Sequence, residues 1–300
     1  MLVTTPKNPH EHSDGRQSKS ALFLALCICV VIFVVEVGGG FWTHSLSLLS
    51  DAVHVFMDAF SFLLSLSALY IAEHSISDRR TFGWHRLEVF AALINALTVV
   101  GVAFFIFFKA VQRFRDPQPV LGPEMLVIAV IGLIANLYVI WKLHKHSQKD
   151  LNIRSAFMHA VGDAAASVAV VAGGIIVSVS GIYMIDSAVA ILVSIIILVY
   201  AYKIFGESVH ILLEGVPLGL VRQEVIGSIE EISGKGSVRD LHIWNVCSHI
   251  CALSLHLLLE DAKMSQQKEL IGKINGHLEK KFNITHTTIQ IEFEAWQKEV

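Results

Sequence analysis

Charge is what this chain has least of. Asp, Glu, Lys and Arg make up 16% of its 300 residues, where a soluble globular domain carries about 25%. The formal net charge is −3, so the basic surplus that binds nucleic acid by counterion release is missing. Cysteine is scarce as well. Cys27, Cys29, Cys247 and Cys251 show no spacing that calls for a disulfide framework. The first two lie two residues apart, so on a helix they point in different directions, and all four read as packing residues. The HExxH pattern of zinc hydrolases does not occur, which argues against an intramembrane metallohydrolase. Residues 1–20 are polar and lack the apolar core of a cleavable leader, so the first apolar stretch is expected to be retained.

Apolar side chains take the place of charge. Hydrophobic residues reach 54% and the mean hydropathy is +0.60, more than one soluble core can use, which points to a bilayer as solvent. About 20 apolar residues in a helix cross a hydrocarbon core of about 30 Å. Such stretches fall at roughly 21–42, 46–72, 87–110, 124–143, 155–179 and 185–205. Positive residues set the orientation. Lys7, Arg16 and Lys19 precede the first stretch, Arg79, Arg80 and Arg86 follow the second, and Lys142, Lys145, Lys149 and Arg154 follow the fourth; only Arg113 and Arg115 dissent. Both termini are therefore expected in the cytosol.

Past residue 210 the composition turns polar. LLEGVP (212–217) reads as a linker, 218–232 as a helix, 237–247 and 250–259 as strands, 265–281 as an amphipathic helix and 285–294 as a strand. The order αββαβ suggests a small ferredoxin-like α+β domain with helices over one sheet. At this size dimerisation would help it fold. The expected organisation is a flexible cytosolic tail (1–20), a six-helix transmembrane domain (21–210), a linker (211–217) and a cytosolic domain (218–300).

The polar residues inside the spans carry the chemistry. Asn95 and Asn136 read as helix-to-helix glue. Glu36 reads first as a structural partner to a neighbouring helix, with an ion-path role as the alternative. Two segments stand apart. DAVHVFMD places His54 and Asp58 four residues apart in the second span, and HAVGD places His159 and Asp163 likewise in the fifth. Each pair lies on one helix face. An Asp at mid-bilayer costs roughly 2.5–3.5 kcal/mol, and no Lys or Arg lies at that depth. A bound cation would neutralise the pair. Two imidazoles and two carboxylates form a four-coordinate set suited to Zn²⁺, whereas Mg²⁺ and Ca²⁺ prefer oxygen cages. Cd²⁺, Co²⁺ and Ni²⁺ stay open on ligand type. Asp51, one turn before His54, either guides ions or protons or bonds backbone, and is not read as a ligand. A non-transporting zinc sensor remains the alternative class, although such a protein could lose these ligands.

Together with SLSLLSDAVHVFMDA (45–59), TFGWHRLE (81–88), NIRSAFMHAVGD (152–163), LLEGVP (212–217), DLHIW (240–244) and TIQIE (288–292), the chain resembles a bacterial-type zinc exporter of the cation diffusion facilitator family. The resemblance runs over nearly the whole chain. It implies a homodimer with six membrane helices per protomer and a cytosolic metallochaperone-like domain. It also implies exchange of cytosolic Zn²⁺ for protons by alternating access, through a site at His54, Asp58, His159 and Asp163. Members favouring Mn²⁺ or Fe²⁺ usually lack the first His, so His54 supports zinc. His85 in TFGWHRLE is either a loop contact or a residue working near the cytosolic domain. In that domain the resemblance implies metal between strands, with His242, His256 and Glu292 as candidates. The family's His before Asp-Leu is Arg239 here, a cation that would repel Zn²⁺ unless paired. The short fourth loop, KLHKHSQKDLN (142–152), lacks a long His-rich insertion, which points to a bacterial inner membrane.

Overall fold

The computed structural model describes the backbone of residues 11–74, 81–144, 151–234, 236–248, 250–259 and 264–293, with side chains described outside 11–22, 65, 68–74, 142–144, 151–162 and 264–266. Helices α1 (Glu11–Thr43), α2 (Leu46–His74), α3 (His85–Arg115), α4 (Gly122–His144), α5 (Leu151–Ser180) and α6 (Met184–Leu212) come first. Each contains a stretch long and apolar enough to cross a membrane. They begin and end within a few residues of the expected spans except at three places: α3 runs on to Arg115, α6 runs on to Leu212 at the start of the LLEGVP segment, and α1 extends at the N-terminus. There α1 starts at Glu11, well ahead of its apolar stretch. A helix already nucleated inside the bilayer extends into polar sequence at little cost, because propagation fixes one residue per hydrogen bond. Of the orienting charges, Lys7, Arg79, Arg80, Lys145 and Lys149 lie outside the described residues, and nothing is described of the Arg16, Lys19, Lys142 and Arg154 side chains.

The chain divides into two compact units, one of residues 1–70 and 94–205 and one of 71–93 and 206–300. In the first, α4 packs against both α5 and α1. Leu48, Val99, Met125, Val170, Val193 and Ile197 are among the residues that fill its core. Large apolar side chains such as Phe104, Phe105, Val127 and Val179 point outward, as they do when the solvent is hydrocarbon.

The turn between α1 and α2 is held from a distance. Asp186 in the first turn of α6 is fully buried. Its carboxylate accepts from the Leu46 and Ser47 amides at 2.9 and 3.2 Å and from the Ser45 and Ser47 hydroxyls at 2.6 and 2.7 Å. It thus caps the N-terminus of α2, whose first amides have no intrahelical partner and carry partial positive charge. Ser45 Oγ also accepts from Leu48 N at 3.1 Å.

In the second unit, α7 (Arg222–Ser233), β1 (Ser237–Cys247), β2 (Ile250–Leu259), α8 (Met264–Phe282) and β3 (His286–Phe293) follow the αββαβ order. The sheet order is β1-β2-β3, with β1 antiparallel and β3 parallel to β2. Val225 and Ile229 of α7 and Ile274 and Leu278 of α8 pack onto Leu241, Ile243, Leu253, Leu255 and Leu257 of the strands. Alternation along β1 and β2 sends Leu241, Leu255 and Leu257 to that core and His242 and His256 to the other face. The helix expected from residue 218 begins only at Arg222. Gly219, at φ +89°, sits in a turn closed by Leu220 N donating to Pro217 O at 3.0 Å, and that conformation cannot belong to a helix.

Candidate metal centre

Helix α2 carries His54 and Asp58 on one face and α5 carries Asp163. Ligating atoms of the three lie within 4.8 Å of one another. All three are buried. His54 Nε2 and Asp163 Oδ1 are 2.8 Å apart, a bond in which the imidazole N–H donates to the carboxylate. Ligands at 2.0–2.2 Å around a tetrahedral ion sit about 3.3–3.6 Å from each other. A divalent ion could therefore replace the shared proton with a small outward shift of these side chains. His159 lies on α5 one turn before Asp163, on the face that brings Asp163 to His54, but its side chain is outside the described residues.

One turn away from this set lies a second layer of polar contacts. Asp51 Oδ2 accepts from Ser167 Oγ at 3.3 Å, and Ser167 Oγ accepts from Asn136 Nδ2 at 2.9 Å. Asn136 thus joins α4 to α5, the kind of link expected of a polar side chain in a span. Asp51 bonds a neighbouring hydroxyl and does not belong to the compact three-residue set.

In the C-terminal domain the outer sheet face brings two of the three sequence candidates together. His256 Nδ1 and Glu292 Oε1 are 2.6 Å apart. His242 pairs instead with Asp240, Nε2 to Oδ1 at 3.0 Å, on exposed surface. A bulge separates the two places: Arg239 lies opposite His256 and His242 opposite Ser254, with a register shift between them. Asp240 takes φ +47° there. Arg239 therefore shares a rung with His256. Among the described residues no third ligating atom joins His256 and Glu292 within the spacing seen in the membrane set. Cys251 lies in the apolar core of this domain, where burial pushes its thiol up to about 11. It stays protonated near neutrality and is a packing residue, not a metal-binding thiolate.

No sequence signal marked the Asp186 cap, because an Asp at a span end looks like ordinary interfacial polarity. None marked the packing of Gly132 on α4 against Glu36 on α1 either, since no motif marks α1 and α4 as neighbours.

Residues 22–213 match the cation efflux transmembrane domain, and residues 217–294 match the cation efflux protein cytoplasmic domain. The chain belongs to the cation efflux family. The resemblance to the cation diffusion facilitators therefore holds, and the chain is a multi-pass membrane protein of a cation-transporting family. It is 36% identical over 289 residues to the "Cadmium, cobalt and zinc/H(+)-K(+) antiporter" of Bacillus subtilis (strain 168), covering 95% of this chain and 92% of that protein. It is 36% identical over 283 residues to the "Metal cation efflux system protein CzcD" of Cupriavidus metallidurans (strain ATCC 43123 / DSM 2839 / NBRC 102507 / CH34), covering 94% and 89%. It is 35% identical over 291 residues to the "Zinc transporter ZitB" of Escherichia coli (strain K12), covering 95% and 92%.

Proposed function

We propose that this chain exports Zn²⁺ from the cytosol in exchange for protons. The observation that carries the reading is the buried His54–Asp58–Asp163 set, whose ligating atoms lie within 4.8 Å inside the apolar helices. His159 completes it as the fourth ligand. The first His and the mixed nitrogen and oxygen donors favour Zn²⁺ over Mg²⁺ and Ca²⁺. The names of the relatives extend the cargo to Cd²⁺ and Co²⁺, which the same donors accept; Ni²⁺ stays open on ligand type. Those names also put H⁺ and K⁺ on the other side of the exchange.

The chemistry follows from what these side chains must do. Metal binding needs neutral imidazole and ionised carboxylate, so uptake of Zn²⁺ releases protons. Once the ion leaves, imidazole and carboxylate take protons again from the far side, and the bond between His54 and Asp163 closes. The two cargoes compete for the same atoms, and alternating access turns that competition into exchange. The transporter is thus secondary active. It acts as a homodimer in the bacterial inner membrane, with both termini in the cytosol. Residues 1–20 are then a cytosolic tail, 21–210 the transport domain, 211–217 the linker and 218–300 the cytosolic domain. In that last domain His256 and Glu292 form the best-placed pair for a second, weaker metal site, with Arg239 on the rung of His256 opposing it and His242 paired instead to Asp240.

His159→Ala tests the ligand set. With an imidazole removed and two carboxylates kept, zinc affinity measured by equilibrium titration in detergent should fall about tenfold or more. Unchanged affinity in a variant that still elutes as a dimer would exclude His159 from the site.

A further inference from the structure

The membrane helices hold a buried acidic pair that the metal set does not use. Glu36 on α1 is 1% exposed, and neither of its carboxylate oxygens has a hydrogen-bond partner. Asp51 on α2 is also 1% exposed, and its Oδ1 has none. Helices α1 and α2 run antiparallel through a tight turn, and the Phe33 and Phe56 rings meet at 5.4 Å. Glu36, three residues beyond Phe33, is therefore level with Val53, between Asp51 and His54. The backbone of α4 at Gly132 closes the site from another side. A Cβ there would meet Glu36 Oε1, so the glycine leaves the carboxylate end of Glu36 its present room against α4. Ser167 Oγ donates to Asp51 Oδ2, and Asn136 Nδ2 donates in turn to Ser167 Oγ. Among the described residues, the titratable groups that interact with Glu36 are Asp51 on α2 and Cys29 on α1 itself, and those that interact with Asp51 include His54 and Asp58 on α2 and Asp163 on α5. Among the described residues no Lys or Arg is paired with either carboxylate.

Two neighbouring carboxylates in hydrocarbon cannot both stay ionised without a cation beside them. The two carboxylates and the Ser167 hydroxyl offer oxygen donors. Carboxylate and hydroxyl oxygens suit a hard monovalent cation better than Zn²⁺. We propose that Glu36 and Asp51 form a counter-cation station, separate from His54, Asp58 and Asp163, in which the monovalent ion exchanged for the divalent metal is carried. Asp51 and His54 lie three residues apart, about 4.5 Å of helix rise. At that separation two cations in a dry site repel strongly, so filling one station empties the other. The station rests on the exchange reading above and makes the coupling electrostatic as well as competitive. Proton and K⁺ share the chemistry, and separate gradients tell them apart.

The test uses the full chain in liposomes with a zinc-sensitive dye inside, driven by a pH gradient without K⁺ or by a K⁺ gradient at equal pH. Glu36→Gln should bind zinc within about twofold of the parent and still let zinc equilibrate downhill. Its response to the counter-ion gradient should fall about tenfold or more, and Glu36→Asp should restore most of it. Loss confined to the pH arm assigns a proton, loss confined to the other arm assigns K⁺, and loss in both assigns a shared station. A Gln variant as gradient-sensitive as the parent overturns the station alone, and so does one that loses zinc binding, since Glu36 would then belong to the metal set. Should the Gln variant not fold, Asp51→Asn takes its place: its counter-ion response must fall as that of Glu36→Gln should, and a response equal to the parent's overturns the proposal. If the parent responds to neither gradient, the exchange reading and the station both fail.

Discussion

His54 is the side chain on which metal choice turns. Its Nε2 lies 2.8 Å from Asp163, and with Asp58 it completes a compact buried set. Replacing it by Asp removes the softer donor and adds charge. His54→Asp should lower zinc affinity about tenfold or more relative to Mn²⁺, as competition titrations with the two ions would show; an unchanged ratio would deny His54 a ligand role. The pairs four residues apart were legible in the sequence because helix geometry puts i and i+4 on one face. Their convergence in space was legible only through charge, since two intramembrane Asp need a neutralising partner. At Cys251 the relevant quantity is burial. Its thiol titrates near 11 in the fold but about 8.5 in the unfolded chain. The raised value means that stability is fully present below pH 8.5 or so and is lost as pH climbs towards 11, because the unfolded chain ionises first. Thermal melts should therefore fall across that window, and Cys251→Ala should flatten this part of the fall. Equal slopes for parent and variant would contradict the burial argument.

Among the elements, α2 matters most, since it carries Asp51, His54 and Asp58. Its entry is fixed by Asp186 of α6, which takes four hydrogen bonds from residues 45–47. Asp186→Ala leaves buried amides and hydroxyls without an acceptor. It should destabilise the membrane domain by about 2–4 kcal/mol, read as a lower melting temperature in detergent, and Asp186→Asn should recover part of the loss. A melting temperature unchanged by the alanine would mean that water or another side chain caps α2. The sequence could not show this device, because its two halves are 139–141 residues apart. The first two strands were legible to the residue and the third to within one residue at each end. Alternation of Leu241, Ile243, Leu255 and Leu257 with polar neighbours marks one buried face. The start of α7 was not, because Leu220 fits a helical period while Gly219 and Pro217 close a turn before it. At α1 the apolar stretch was visible, but its polar extension back to Glu11 leaves no hydrophobic trace.

At the scale of the whole molecule, composition alone chose the solvent, and among the described residues six helices are long and apolar enough to cross a membrane. The central claim is that the His54, Asp58, His159 and Asp163 set is the transport site. The most direct test seals the purified protein in liposomes with a zinc dye inside, imposes a pH gradient and compares the parent with Asp163→Ala. The account predicts gradient-driven Zn²⁺ uptake in the parent and its loss, to the level of empty liposomes, in a variant that still elutes as a dimer. Equal uptake by both would contradict it, and so would a parent that binds zinc as an intact dimer yet moves none, which is the behaviour of a sensor.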